Sequence, residues 1–495
     1  MLDNVDLNKS MSDDEFGSSL PKLKDELGVL QRSLRDAGIP VIVVLEGWNA
    51  AGITMSVNEV IQALDPRGFS LHSIDRPTEG ERARPFLWRF WVRTPNRGRI
   101  ALFARSWYSR ALVEEFDNFS WKKNFRQLVD SINNFERQLN DDGALVIKFF
   151  LHIDKDEQKR RLLERERNPL TAWLVTPRIW EFHYHYETHF SLIDEFIEKT
   201  NNDEAPWQIV EATDRNYTIH KIYSTLIKKI EKRLDESGAG IDESKKLKKI
   251  KKAEKQDLSP VKRRTSASKS YSKDECETLF RSLQADMTER NHLLLKRKIP
   301  FIIVYEGWDA SGKGGNIIRL ARYMNPLGYD VIPVMAPNSF EKDHHYLRRF
   351  IQYFPKAGHV AIFDRSWYGR VLVERVDGLC SEYDWQRAYR EINEMEQDYV
   401  ESSGGGIVKF WLDIDKDVQL KRFQQREEDP LKQYKITEDD WHNREKWDLY
   451  DVAVNDMLAR TNTSYAPWTV IESDEKWYAR VKAIKSVISG IDSLL

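Results

Sequence analysis

Short apolar runs recur along the second half of the chain, each as long as a strand. They cover residues 301–305, 331–335, 360–363, 407–412 and 469–471. Because these runs are mostly continuous rather than alternating, they are typical of parallel strands buried on both faces of a sheet. The stretches between them carry helical patterns, which place helices in the crossovers. The pattern therefore predicts an α/β fold built on a doubly wound parallel sheet.

The first half of the chain repeats this organisation. The segment 41–52 (VIVVLEGWNAAG) returns 260 residues later as 301–312 (FIIVYEGWDASG), and further matches follow at spacings of 260 and 261 residues. A repeat of this length indicates a duplicated domain rather than a solenoid. We therefore expect one domain at 1–233, called the first copy, and another at 272–495, called the second copy.

Residues 234–271 separate the two copies and are rich in Lys, Ser and Glu, with basic runs at 245–252 and 262–264. Such a composition cannot bury a core, so it predicts a charged linker that is either mobile or helical. The same runs of positive charge would also suit an arm that gathers a polyanion. The sequence leaves both interpretations open.

Composition narrows the class of protein. The chain has 495 residues, of which 41% are hydrophobic and 32% charged, and this length favours two or more domains. No apolar run approaches the roughly 20 residues of a membrane-spanning helix. Residues 1–19 lack the pattern of a secretory signal, so we expect a cytoplasmic protein without a membrane partner. A formal net charge of −2 excludes a globally basic nucleic-acid binder, and Cys276 and Cys380 are too few for a disulfide framework.

A glycine-rich loop follows the strand predicted at 301–305 and leads into a helical pattern over 316–324. From position 307 it reads Gly-Trp-Asp-Ala-Ser-Gly-Lys-Gly-Gly, which is a G-x-x-x-x-G-K motif in the setting of a P-loop. Its backbone N–H groups, the helix N-terminus and the lysine can all face phosphate oxygens. The predicted phosphate-binding residues of the loop are Gly307, Ser311, Gly312, Lys313, Gly314 and Gly315.

Gly314 stands where nucleoside-triphosphate enzymes carry the Ser or Thr whose hydroxyl binds magnesium. Other groups must then hold a metal, and Asp309 in the loop is the nearest candidate, unless it is only a turn residue. Asp364 and Arg365 follow the strand predicted at 360–363, at the sheet edge where open α/β folds bind ligands. Asp364 could instead cap a helix. We expect both carboxylates to hold Mg²⁺, while Lys313 and Arg365 neutralise phosphate oxygens.

These motifs resemble the family-2 polyphosphate kinases. The resemblance rests on the loop at 307–315, on Asp-Arg-Ser-Trp-Tyr-Gly-Arg at 364–370, and on Arg-Glu-Glu-Asp-Pro-Leu-Lys at 426–432 with Lys435 and Trp441. It covers both halves, and the tandem arrangement is similar to the two-domain branch, the polyphosphate:AMP phosphotransferases. It implies a thymidylate-kinase-like fold, Mg²⁺, inorganic polyphosphate as donor and a nucleoside monophosphate, AMP above all, as acceptor.

The same resemblance implies roles for individual residues. Asp309, Lys313, Asp364 and Arg365 fall on the family's catalytic positions, and arginines of a mobile lid fall near Arg422 and Arg426. Such a lid would close over the phosphates and exclude water.

Further basic residues surround these positions. Lys432 lies among several basic residues of the segment 420–447, which predicts the lid, although a surface helix pair is the plain alternative. Arg319 and Arg322 share a helix face and could follow a polyphosphate chain, unless they are merely solvated.

The first copy lacks most of the charged residues that this chemistry requires. It has Asn49 for Asp309, Ile53 for Lys313, Thr54 for Gly314 and Ala104 for Asp364, while Arg105 remains. Without the lysine and both carboxylates, a metal–phosphate complex cannot be held there, so we expect no catalysis from this copy. Its expected role is structural, packing against the active half.

Three alternatives remain open from the sequence alone. The first is an ATP-dependent nucleoside monophosphate kinase, and the second is a polyphosphate kinase acting on nucleoside diphosphates. The third is a binding protein that uses the loop as a phosphate sensor. Pairing into a homodimer also remains open.

Overall fold

The computed structural model describes residues 1–109, 121–238 and 271–495, and single residues at 247, 258 and 261. The basic runs of the predicted linker lie almost wholly outside these ranges. The chain divides into two units, each with one five-stranded sheet. The first unit comprises 1–76, 90–241 and 342–345, and the second comprises 77–89, 242–341 and 346–495.

The strands alternate with helices along the chain. The first sheet contains β1 (Val41–Gly47), β2 (Phe69–Ser73), β3 (Ile100–Ala104), β4 (Leu145–His152) and β5 (Trp207–Glu211). The second sheet contains β6 (Phe301–Gly307), β7 (Tyr329–Pro333), β8 (Val360–Asp364), β9 (Gly406–Asp413) and β10 (Trp468–Glu472).

The two sheets have the same topology. Their strand orders are β2-β3-β1-β4-β5 and β7-β8-β6-β9-β10, and every pairing is parallel. The central strands β1 and β6 are buried along almost their whole length, as expected for a sheet covered on both faces. The predicted α/β fold with two doubly wound parallel sheets is therefore confirmed.

Helices connect the strands and cover both faces of each sheet. The helices of the first half are α1 (Asp13–Asp36), α2 (Ile53–Ile61), α3 (Glu79–Arg82), α4 (Trp88–Trp91), α5 (Trp121–Asp141), α6 (Lys155–Arg167), α7 (Pro177–Tyr184), α8 (Tyr186–Lys199) and α9 (Arg215–Gly238).

The second half has a matching series. It consists of α10 (Lys273–Arg297), α11 (Lys313–Ala321), α12 (Ser339–Lys342), α13 (Arg348–Ile351), α14 (Val373–Val376), α15 (Glu382–Ser403), α16 (Lys416–Glu428), α17 (Glu438–Glu445), α18 (Trp447–Thr461) and α19 (Lys476–Asp492). Among the described residues, none of the helices is long and apolar enough to cross a bilayer.

The strand predicted at 331–335 is wrong by two residues. β7 begins at Tyr329, opposite Val360, and ends at Pro333, opposite Asp364. Met335 lies beyond the strand and is 75% exposed. β7 is an edge strand, so its bounds are set by pairing with β8 on one side only, which an apolar run does not reveal.

The helix after the glycine-rich loop also differs from its prediction. α11 begins at Lys313 and ends at Ala321, three residues earlier at each end than the predicted segment. Gly314 and Gly315 are poor helix formers, so local propensity hides the start of this helix. The loop geometry overrides that propensity.

Candidate active site

The loop between β6 and α11 turns sharply because two of its residues are glycines. Gly307 has φ of 152°, and a Cβ there would lie 2.6 Å from the carbonyl oxygen of Leu412. Gly312 has φ of 104° immediately before the helix. Both conformations are costly for other residues. The loop therefore presents the N-terminus of α11 at the carboxyl end of the sheet, which is the geometry of an anion site.

Lys313 is the first residue of α11, and its side chain folds back over the loop. Its Nζ donates hydrogen bonds to the carbonyl oxygens of Gly307, at 2.6 Å, and Trp308, at 3.2 Å. Burial lowers the pKa of this amine, whereas the nearby carboxylates of Asp309 and Asp364 favour its charged form. The arrangement holds a cation next to two carboxylates.

Asp309 is fixed from two directions. Its Oδ1 accepts from Nη2 of Arg365 at 3.2 Å, and its Oδ2 accepts from Nδ2 of Asn443 in α17 at 2.9 Å. The Oδ1 of Asn443 accepts in turn from the hydroxyl of Tyr450 in α18 at 3.2 Å. Sequence reasoning missed Asn443 and Tyr450, because only the folded chain brings α17 over the loop.

The turn after β8 places Asp364 and Arg365 at the same sheet edge as the loop. Arg365 has φ of 65°, an uncommon left-handed conformation for a residue other than glycine. The following residues anchor it: Ser366 Oγ donates to buried Glu306 at 2.8 Å, and Trp367 Nε1 donates to Glu396 at 3.0 Å. Buried contacts thus maintain a strained backbone beside the loop, as is common at functional sites.

The buried carboxylate of Glu396 is itself neutralised. It contacts Nζ of Lys409 at 2.7 Å and the hydroxyl of Tyr368 at 2.8 Å, and Lys409 and Glu396 are fully buried. A buried ion pair of this kind contributes little net stability, but losing one partner is strongly destabilising. It therefore serves to fix the turn that carries Asp364.

A cavity of about 200 Å³, here called the basic pocket, opens beside the loop. Its charged lining residues are all cations: Arg422, Arg426, Lys432, Lys435, Lys476 and Arg480. Burial and repulsion from Arg319 lower the pKa of Arg480 to about 10. Gly315 lies beside this pocket: a Cβ there would be 3.9 Å from Nη2 of Arg480, an ordinary van der Waals distance.

Two residues of the basic pocket were not predicted. Lys476 and Arg480 lie one turn apart at the start of α19, directly after β10. Burial and the neighbouring arginines and lysines lower the pKa of Lys476. Their i, i+4 spacing at a strand-to-helix junction was the available signal, since such junctions face the ligand edge of the sheet.

The predicted lid residues occupy different surroundings. Arg422 is buried and donates to the carbonyl oxygens of Ala310, at 2.9 Å, and Ser473, at 2.6 Å. Arg426 is half-buried and donates to the carbonyl of Lys435 at 3.0 Å. Exposed Lys432 pairs with Asp429, just beyond the end of α16.

The two arginines of α11 also differ. Arg319 donates to the carbonyl of Gly315 at 3.1 Å and lies 5.7 Å from the ring of Trp477. Arg322 is exposed. Only Arg319 therefore lies against the loop.

The donor set of the site is compatible with Mg²⁺. Asp309 and Asp364 both interact electrostatically with Lys313, and carboxylates with phosphate oxygens and waters are the usual ligands of this ion. In the described part of the chain, no group of three His, Cys, Asp or Glu side chains could hold a metal. Buried Ser311 Oγ has no hydrogen-bond partner among the described residues, so it can donate to a phosphate oxygen.

Comparison with known proteins agrees with this geometry. The family model for polyphosphate kinase 2 matches residues 10–238 and 270–494. The chain belongs to the polyphosphate kinase 2 family. Its relatives include a protein of Pseudomonas syringae pv. tomato named polyphosphate:AMP phosphotransferase, which is 36% identical over 493 residues, or 99% of this chain and 98% of the relative. A Pseudomonas aeruginosa protein of the same name is 35% identical over 506 residues, covering 100% of this chain and 99% of the relative.

A solved structure shares the whole fold. A crystal structure described as that of a polyphosphate kinase 2 from Pseudomonas aeruginosa PA01 superposes with a TM-score of 0.85 and 34% sequence identity. The match covers 100% of this chain and 99% of the other. The expected resemblance to polyphosphate kinases with two copies is therefore confirmed over the full chain.

Within this polyphosphate kinase 2 chain, the first copy has different side chains around an equivalent loop. Met55 stands where the second copy has Gly315, and its Cε lies 3.2 Å from where a Cβ of Gly52 would be. At the positions of Asn443 and Tyr450, Phe182 stacks on His189 with ring centroids 3.8 Å apart. Apolar and aromatic groups thus occupy positions that carry the polar and small residues of the site in the second copy.

Proposed function

We propose that this chain transfers the terminal phosphate of inorganic polyphosphate to AMP, in a reaction that requires Mg²⁺ and takes place in the second copy. The observation that carries the proposal is the basic pocket beside the P-loop, lined by six cations and no carboxylate. The full-length relatives named polyphosphate:AMP phosphotransferase support the same substrates.

The donor follows from the charge and shape of the basic pocket. Polyphosphate carries negative charge along its whole length and has no base or sugar, so a site for it needs several cations and no apolar base pocket. The basic pocket provides these cations next to Ser311 and Gly312 of the loop. The lack of a loop hydroxyl at Gly314 also argues against an ordinary ATP-dependent enzyme.

The acceptor would bind next to Asp309. An oxygen of the AMP phosphate would attack the terminal phosphorus of the donor, while the bond from that phosphorus to the bridging oxygen of the chain breaks. The shortened polyphosphate leaves, and the phosphoryl group forms the new anhydride bond of ADP. Asp309, which accepts hydrogen bonds from Arg365 and Asn443, would orient the attacking phosphate.

Mg²⁺ would be held by Asp309 and Asp364, and when bound it would neutralise charge on the phosphoryl group in transit. Lys313 and Arg365 add positive charge at the same place. Such a transition state spreads charge over its equatorial oxygens, so fixed cations stabilise it without further reorganisation.

The remaining basic residues have separate proposed roles. Arg426, Lys432, Lys476 and Arg480 bind the donor chain in the basic pocket. Arg422 fixes the back of the loop through main-chain carbonyls, and this support is a positioning role. Arg319 lies beside Gly315 at the edge of the same pocket.

A matrix of donors and acceptors tests this proposal. Long-chain polyphosphate or ATP is incubated with AMP, GMP, ADP or GDP and Mg²⁺, and the products are separated by ion-exchange chromatography. ADP formed from AMP and polyphosphate is expected to exceed every other product. If ATP supports the reaction and polyphosphate does not, the donor is wrong; if a nucleoside diphosphate is the better acceptor, the acceptor is wrong.

A further inference from the structure

A groove of about 630 Å³ lies against α9 of the first copy, far along the sequence from the loop residues. It is lined by Gln208, Tyr217, His220, Lys221, Ser224, Thr225, Lys228, Lys229 and Lys232. None of these lining residues is acidic. The four lysines, called the lysine row, make the groove strongly cationic.

The lysine row follows from helical geometry. At 100° per residue, Lys221, Lys228 and Lys232 fall within a narrow stripe along α9, and Lys229 lies at its margin. The row extends over roughly 16 Å, since each helical residue rises about 1.5 Å. Its cations therefore line the same groove one after another, an arrangement that suits an extended chain of negative charges.

Two of the four lysines have no ion-pair partner among the described residues. In the described part of the chain, Lys228 and Lys229 make no ion pair. Lys221 is paired with Glu211, and Lys232 approaches exposed Glu236 only at 3.8 Å. Burial and the charges of Lys232 and Lys228 lower the pKa of Lys229. Neighbouring positive charges disfavour the charged form of each lysine, and a bound anion would favour it again.

The fold does not require these lysines. The equivalent positions of α19 in the second copy are Ser489, Gly490 and Ser493 in place of Lys228, Lys229 and Lys232. The equivalent groove there is lined by these three residues and by two lysines, Lys482 and Lys485, instead of four. A helix packed on the same sheet edge is therefore stable without Lys228, Lys229 and Lys232, so these three cations are particular to the first copy.

We propose that the lysine row is a second binding site for inorganic polyphosphate, separate from the basic pocket. This inference rests on the proposed function, because polyphosphate is the polyanion that the enzyme would meet. Lysines bind phosphate as point charges without reading a base. Proteins that bind single-stranded nucleic acid combine a cationic groove with aromatic side chains on which the bases stack. In this groove, the aromatic lining residues are Tyr217 and His220.

Binding of labelled long-chain polyphosphate to the full-length protein tests the inference. The test variant is Lys228→Gln/Lys229→Gln/Lys232→Gln in a background carrying Arg480→Ile, which weakens the basic pocket. The matched control removes three exposed lysines of the same copy, Lys22→Gln/Lys159→Gln/Lys199→Gln. Binding is followed by fluorescence anisotropy over a range of salt concentrations.

The test variant is expected to lose about tenfold in affinity and to show a shallower salt dependence, as for any lost cation–phosphate contacts. The control is expected to change less than twofold. Equal losses in both variants, or no loss in either, would overturn the inference. So would single-stranded RNA of equal phosphate number that binds as tightly and depends on the same lysines.

The readout separates this inference from the proposed function. Binding needs neither AMP nor turnover, so lysine-dependent binding without kinase activity would refute only the proposed reaction. Full polyphosphate-dependent activity together with lysine-independent binding would refute only the second site.

Discussion

The loop after the first strand has nearly the same backbone in both copies, although its side chains differ. Ala50 and Ala310 have φ of 69° and 62°, and the glycines that precede α2 and α11 have φ of 107° and 104°. Arg105 and Arg365 are likewise left-handed, at 64° and 65°. The conformation of a P-loop therefore depends on its glycines and anchors and not on the lysine or the carboxylates.

The anchors themselves are duplicated. Lys148 pairs with Glu136 in the first copy as Lys409 pairs with Glu396 in the second, both at 2.7 Å and both buried. The residues that hold the turn after β3 and β8 have thus been kept. The difference lies in the side chains that the turn presents, with Ala104 in the first copy at the position of Asp364.

The losses extend beyond the loop. Arg480 corresponds to Ile219, and Arg319 corresponds to Glu59, which pairs with Arg215 at 3.0 Å. A carboxylate and an apolar residue thus replace two cations near the donor pocket. The predicted inactivity of the first copy would therefore reflect its whole electrostatic environment, and we expect that no single substitution gives it activity.

The largest expected effect is at Asp364. Replacing Asp364 by Asn keeps its size and removes its charge, and turnover should fall by about 100-fold or more, because a group acting on the phosphoryl transition state is lost. The matched change in the first copy, Ala104→Ser, should leave turnover unchanged. Initial rates of ADP formation at saturating substrates measure both. Near-normal turnover of Asp364→Asn would show that Asp364 does not hold a metal that the reaction needs.

Asn443 gives a test of positioning. Asn443→Ala removes a hydrogen bond to a charged carboxylate, which is worth about 1.5–3 kcal/mol, so kcat should fall roughly tenfold or more. Tyr450→Phe should have a smaller effect in the same direction. The KM for polyphosphate should not change, because neither residue lines the basic pocket. An equal rise of that KM with unchanged kcat would assign Asn443 to donor binding.

Arg480→Ile gives the basic pocket the residue that the first copy has at the equivalent position. One cation among six is lost, so the KM for polyphosphate should rise roughly fivefold while the KM for AMP stays constant. Arg322→Gln removes an exposed arginine of α11 and serves as the control, with less than a twofold change. Steady-state kinetics with polyphosphate of one defined length measures both. If the two variants behave alike, Arg480 does not bind the donor.

Met55→Gly brings the smallest expected change, and it concerns stability alone. A glycine inside α2 costs about 0.5–1 kcal/mol. The thermal transition of the first copy should fall by a few degrees, with turnover unaffected. Calorimetry and rate measurements on the same sample check this. A loss of activity would show that the loop of the first copy contributes to the reaction.

The fold was predictable because central strands are buried on both faces. β6, β8 and β9 appear as uninterrupted apolar runs, and the bounds predicted for them agree within a residue or two with the structure. β7 is less certain from sequence because an edge strand is half exposed, and its run continues past Pro333 to Met335. Residues of the loop could be named because their spacing is tied to one backbone conformation.

The rest of the candidate site depends on tertiary contacts. Asn443 reaches Asp309 across 134 residues of sequence, and neither its residue type nor its neighbours predict that contact. Lys476 and Arg480 enter the basic pocket because α19 starts at the ligand edge of the sheet. The environment of Arg422 could not be predicted either. A buried arginine that donates to main-chain carbonyls has the same sequence pattern as an exposed arginine in a lid.

The most direct test compares two full-length chains in one assay of polyphosphate-dependent ADP formation. One carries Lys313→Ile/Asp364→Ala, which gives the second copy the residues of the first. The other carries Ile53→Ala/Ala104→Ser, which changes the first copy alone. The account predicts no activity above the background without enzyme for the former and full activity for the latter. Measurable turnover in the former, or a large loss in the latter, would contradict the claim that the second copy performs the reaction.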